Sequence, residues 1–111
     1  MNLDSKKLLI NYKSSCIERG QVLICKLKDD NYVALMLSEV IGKSAYNLMI
    51  ISGYKAGLSC CYLPEESISK KGCGIDTHWL IKNWNTYGFR NSNIKNVIIL
   101  DELDAEKILH C

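Results

Sequence analysis

Between Gly20 and Pro64 the chain repeats one pattern four times: a short run of apolar and β-branched residues, then a cluster of turn formers. The runs are residues 21–27, 32–40, 45–52 and 58–63. Asp29-Asp30-Asn31, Gly42-Lys43-Ser44 and residues 53–57 separate them with turn chemistry. Pro64 closes the fourth run, because proline cannot donate to a strand ladder. Strands at this spacing predict a meander or a small barrel.

Residues 64–76 hold no sustained period and read as a loop. Asp76 or Thr77 then caps a helix over residues 78–87. On it Leu80, Ile81, Trp84 and Tyr87 share a stripe of about 120°, while Trp79 projects roughly 100° outside it. Trp84 is therefore a core residue. Gly88 stops the helix. A polar connection over residues 90–96 leads to a further strand, Val97-Ile98-Ile99-Leu100. Near the start, Asp4 or Ser5 caps a short helix over residues 6–13 if Leu8, Leu9 and Tyr12 set the period; Leu8, Ile10 and Tyr12 alternate equally well as a strand. The expected fold is α+β, one domain over residues 1–111: a twisted antiparallel sheet, or a partly open SH3-like barrel, of about five strands with one packed helix and an optional short N-terminal helix. Residues 21–27 or 97–100 are the expected edge strand.

Composition supports one globular unit. With 111 residues, 48% hydrophobic and 23% charged, the chain has enough apolar surface for a single core. The net charge of +2 is far below that of a typical nucleic-acid binder of this size. Its distribution is uneven: residues 1–100 carry +5 and residues 101–111 carry −3. Six cysteines would suggest disulfides in an exported protein. The first residues lack the apolar run of a signal peptide, so the expected compartment is the cytoplasm, with reduced thiols packing as small apolar groups. No apolar stretch is long enough to span a bilayer.

Candidate chemistry is sparse. Cys60-Cys61 is too tight for a zinc pair, Cys73 and His78 make one loose pair, and His110-Cys111 lies at the end, so no metal and no cofactor are expected. Cys73 beside Asp76 and His78 is the one arrangement that could make a thiol enzyme, and it lacks a second converging constellation. Tyr32, Tyr46, Tyr54 and Tyr62, with Lys26, Lys28, Lys43 and Lys55, would be the platform of a nucleic-acid-binding barrel. Tyrosines and lysines at such positions are more often sheet filler and solvated surface. Binding of a protein partner fits best. Its expected contacts are the acidic residues Asp101, Glu102, Asp104 and Glu106, then Asp29 and Asp30, with Trp79 as an aromatic anchor.

Residues 19–87 resemble a family of small bacterial immunity proteins, the antitoxins of polymorphic and contact-dependent growth inhibition toxins. The resemblance rests on Arg19-Gly20-Gln21, Tyr32-Val-Ala-Leu-Met, the G-Y-K-A-G-L loop over residues 53–58, Leu63-Pro64-Glu65-Glu66-Ser67 and the W-L-I-x-N-W segment over residues 79–84. It implies a cytoplasmic, non-catalytic inhibitor that grips the C-terminal domain of one cognate toxin, often a nuclease. It also allows a ternary complex with a host protein held by the toxin, and involves neither membrane nor direct nucleic-acid contact. Inhibitors of nucleases tend to present carboxylates to a basic site. A net-positive chain departs from that habit and would need a local acidic patch, or would bind away from the catalytic centre.

Overall fold

The computed structural model describes residues 7–40, 45–53, 56–71 and 74–100. The fold is α+β. Its main sheet has five antiparallel strands, β2 (Val22–Leu27), β3 (Tyr32–Glu39), β4 (Tyr46–Ile50), β5 (Ser59–Tyr62) and β7 (Ser92–Leu100), in the order β5-β4-β3-β2-β7. β1 (Cys16–Ile17) and β6 (Ile75–Asp76) form a separate two-stranded ladder. The main sheet is open, so of the two expected forms the sheet is the one found.

Four strands in sequence make the meander, and the last strand returns beside the first of them. Leu23 pairs with Leu35 on one side and with Ile99 on the other, which places residues 21–27 inside the sheet and removes them as an edge. β5 and β7 are the edges. Leu8 makes an isolated bridge to Ile98 on the outer side of β7, and a single 3-10 turn follows at Leu9–Asn11. That turn takes the place of both the helix and the strand expected near the start; Asp4 and Ser5 lie outside the described residues.

Alternation along the strands sorts side chains to two faces. Leu23, Cys25, Leu35, Leu37, Leu48, Val97 and Ile99 point to one face and meet Leu9, Ile17, Leu63, Ile75, Leu80 and Trp84 in the main core. Val22, Ile24, Ile98 and Leu100 form a second buried cluster on the opposite face, flanked by Ala34, Met36 and Ile51.

Three further expectations need correction. The helix over residues 78–87 is two short helices, α1 (Thr77–Lys82) and α2 (Trp84–Tyr87). Asn83 breaks it: its backbone N–H and its side-chain amide both donate to the Trp79 carbonyl, at 3.0 and 2.9 Å, so the side chain competes for a helical acceptor. Leu80 and Trp84 still face the core together, because the break preserves their four-residue spacing. The loop over residues 64–76 contains a 3-10 turn, Glu65–Ser67, and ends in β6. The last strand begins at Ser92, within the segment read as a polar connection. The ladder shifts register between Cys25 and Leu27, and across that irregularity only Ile94 among residues 93–96 packs on the core, so no clean alternation shows in the sequence.

Candidate partner-binding surface

Three described features could meet a partner: the β2–β3 turn, the outer side of α1, and a cleft beneath α2. The turn is built by its own acids. Asp30 sits at φ 66°, a left-handed position that Asp tolerates. Asp29 accepts from the Asn31 backbone N–H at 3.1 Å through one carboxylate oxygen and from the Asn31 amide at 3.0 Å through the other. Asp30 pairs with Lys26 at 3.6 Å. Both carboxylates are exposed, and both already serve the turn.

Trp79 is less exposed than a position outside the core stripe implies. It is half-buried and packs against the main core, with its ring tilted on that of Tyr87 at 5.1 Å. Its backbone N–H donates to Asp76 Oδ1 at 3.0 Å, which identifies Asp76 as the helix cap. Asp101, Glu102, Asp104 and Glu106 lie outside the described residues.

The tyrosines read as a stacking platform do not assemble. Tyr46 turns to the core face, whereas Tyr32 and Tyr62 belong to the opposite face. Strand register puts Tyr62 level with Ser38, so it stands about 20 Å along the sheet from Tyr32 at roughly 3.4 Å per residue. Tyr54 lies outside the described residues. Between β3 and β5 the same face carries a polar chain: Ser38 Oγ donates to Asn47 Oδ1, and Asn47 Nδ2 donates to Ser59 Oγ at 3.1 Å.

A cleft of about 1130 Å³ opens between the end of β2, the start of β5, α2 and the start of β7. Trp84 closes its inner side, 2% exposed, with its indole N–H donating to Ser92 Oγ at 3.0 Å. The cleft is lined by Lys26, Lys28 and Arg90 and, among the described residues, by no carboxylate. Sequence reading missed it, since Lys28 and Arg90 are far apart in the chain. The unusual density of asparagine at positions 85, 91, 93 and 96 was its one linear trace.

The thiols near the cleft are poor nucleophiles. Burial pushes the Cys25 thiol up to about 12; neighbouring Cys60 adds to the rise and a bond to Ser92 opposes it. Cys60 is raised to about 11 by burial and then by Cys61, which is itself raised by burial. Cys73 lies outside the described residues. Among the described residues no three His, Cys, Asp or Glu side chains converge on a point that could hold a metal ion, and no helix is long and apolar enough to cross a membrane.

A family model described as Immunity protein 45 matches residues 9–99. No curated protein and no solved structure matches the chain.

Proposed function

Because the chain belongs to the Immunity protein 45 family, we propose that it binds and neutralises the C-terminal domain of a cognate bacterial toxin by forming a tight protein–protein complex. The observation that carries this reading is the extent of the match. Residues 9–99 include the main core, both sheets and both helices, so the family resemblance belongs to the whole folded unit.

An inhibitor of this kind works by occupying its target's surface, and a protein of this size can do so with a standard interface of roughly 1,200–2,000 Å². The toxin is a nuclease in this reading. Asp101, Glu102, Asp104 and Glu106 are the first contact set, Asp29 and Asp30 the second, and Trp79 the anchor. Its half-buried indole packs at a tilt against Tyr87, so its rotamer is already restricted before a partner arrives. The complex forms in the cytoplasm, where Cys25, Cys60 and Cys61 stay reduced. A host protein held by the toxin can join it.

The test is expression of the toxin domain encoded beside this gene, with and without this chain. Rescue of growth and recovery of a 1:1 complex on size exclusion are the expected results. A toxin domain that kills equally in both cells and elutes alone would refute the reading.

A further inference from the structure

We infer that the cleft beneath α2 is the seat of an acidic segment of the toxin, a stretch of chain carrying at least two carboxylates. This rests on the proposed inhibition and adds to it the chemistry of one part of the partner.

The charges are one-sided. Lys26, Lys28 and Arg90 line the cleft, and among the described residues no Asp or Glu does. Among the described residues no carboxylate pairs with Lys28 or Arg90, both exposed; Lys26 shares only Asp30, whose side chain is 86% exposed. Exposed pairs of that kind are worth about 0–1 kcal/mol, so Asp30 does little to quench the local field. A recess with low-dielectric walls and one sign of charge focuses that field and draws in the opposite sign. The closing walls here are Trp84 and Ile50, both buried.

The remaining lining suits a polypeptide. Asn85, Asn91 and Asn96 offer amides that can donate to and accept from a peptide backbone, and Asn93 is already used in part, its Oδ1 accepting from the Lys95 N–H. A nucleic-acid strand would also satisfy the cations, but its bases need accessible aromatic faces. Among the described residues the cleft offers no fully exposed ring. Trp84 is buried, Phe89 packs on the core, and the exposed Tyr32 and Tyr62 are not in the lining.

The inference also removes a difficulty. A basic body is a poor match for a basic nuclease surface, yet it is a good match for a partner that presents an acidic segment to the cleft while its own cations meet Asp101, Glu102, Asp104 and Glu106.

The experiment is a salt series of association rates and affinities between the full chain and the neighbouring gene's toxin domain. The double variant Lys28→Glu/Arg90→Glu is expected to bind at least about tenfold more weakly, chiefly through slower association, with a flatter salt dependence. Lys70→Glu/Lys71→Glu, outside the cleft, is expected to stay within about twofold of wild type. Equal losses in both double variants would mean a diffuse charge effect and overturn the inference. An unchanged Lys28→Glu/Arg90→Glu protein would overturn it too, and would leave the proposed function standing. A wild-type chain that does not bind the toxin domain removes both. Two further arms address other occupants. A short single-stranded oligonucleotide that binds wild type and loses affinity in Lys28→Glu/Arg90→Glu would assign the cleft to nucleic acid. If the loss with toxin vanishes once Asp101, Glu102, Asp104 and Glu106 are changed to their amides, the cleft belongs to the chain's own acidic residues. Either result refutes the toxin segment as occupant.

Discussion

The indole N–H of Trp84 donates to Ser92 Oγ at 3.0 Å, tying α2 to the first residue of β7. Ser92 Oγ in turn donates to the Phe89 carbonyl at 2.5 Å, so one hydroxyl closes the turn between helix and strand. The largest side chain of the core and the wall of the cleft are the same residue.

Removing that ring should therefore disturb both. Trp84→Ala is expected to cost about 3–5 kcal/mol, the range for deleting a buried aromatic. Ser92→Ala, which leaves the buried indole N–H without its acceptor, should cost about 1–3 kcal/mol. Urea midpoints of the two variants test the order: Ser92→Ala must fall between wild type and Trp84→Ala.

Two glycines in left-handed backbone should respond differently to alanine. Gly57, at φ 95°, has nothing within 4 Å of an added Cβ, so Gly57→Ala meets only backbone strain, about 1 kcal/mol. Gly74, at φ 74°, would place a Cβ 1.8 Å from the Ile17 carbonyl oxygen. No side-chain rotation relieves a clash with backbone, so Gly74→Ala is expected to be the more destabilising and to unseat the β1–β6 ladder. Thermal melts of both variants decide this; similar melting temperatures would show that the Ile17–Gly74 approach is unimportant.

The cap on α1 separates two adjacent residues. Asp76→Ala removes the acceptor for the Trp79 N–H and should cost about 0.5–2 kcal/mol. Thr77→Val should not. Thr77 Oγ1 is buried without a hydrogen-bond partner among the described residues, so an isosteric methyl is expected to be neutral or stabilising. Chemical denaturation of the pair gives the sign of each.

Stability should fall in alkali because of Cys25. Its thiol titrates at about 12 when folded, against an ordinary 9.0. Between these values the folded state holds a proton that the unfolded state has lost, so unfolding gains as pH rises. The sign is therefore loss of stability above about pH 9, by at most about 1.4 kcal/mol per pH unit from this group. Cys25→Val removes the contribution. Denaturant midpoints from pH 8 to pH 11 should fall less steeply for that variant than for wild type, and parallel curves would refute the assignment.

The meander was legible because its largely apolar runs of six to nine residues are local and its turns carry Asp, Asn and Gly. A cap at Asp76 or Thr77 and the pairing of Leu80 with Trp84 on one face were legible for the same reason: caps and helical spacing act over three or four residues. The break at Asn83 was hidden, since whether an asparagine side chain turns back on its own helix depends on what packs around it. β1 and β6 were hidden because two-residue strands have no period to read. Gly88 was read rightly as a stop, but its φ of −82° is ordinary; the constraint is that a Cβ there would sit 2.3 Å from the Trp84 ring.

Local pattern alone determined that this chain is α+β, where the four meander strands lie, and that Trp84 is core. The resemblance to immunity proteins was also in the linear text. Tertiary structure decided that β2 lies inside the sheet between β3 and β7, that Tyr46 faces away from Tyr32 and Tyr62, and that Lys28 and Arg90 share a cleft with no acid in it among the described residues. The division follows the range of the forces. Propensity and alternation act between near neighbours, whereas a charged recess exists only once strands distant in sequence have been brought together by burial of the core.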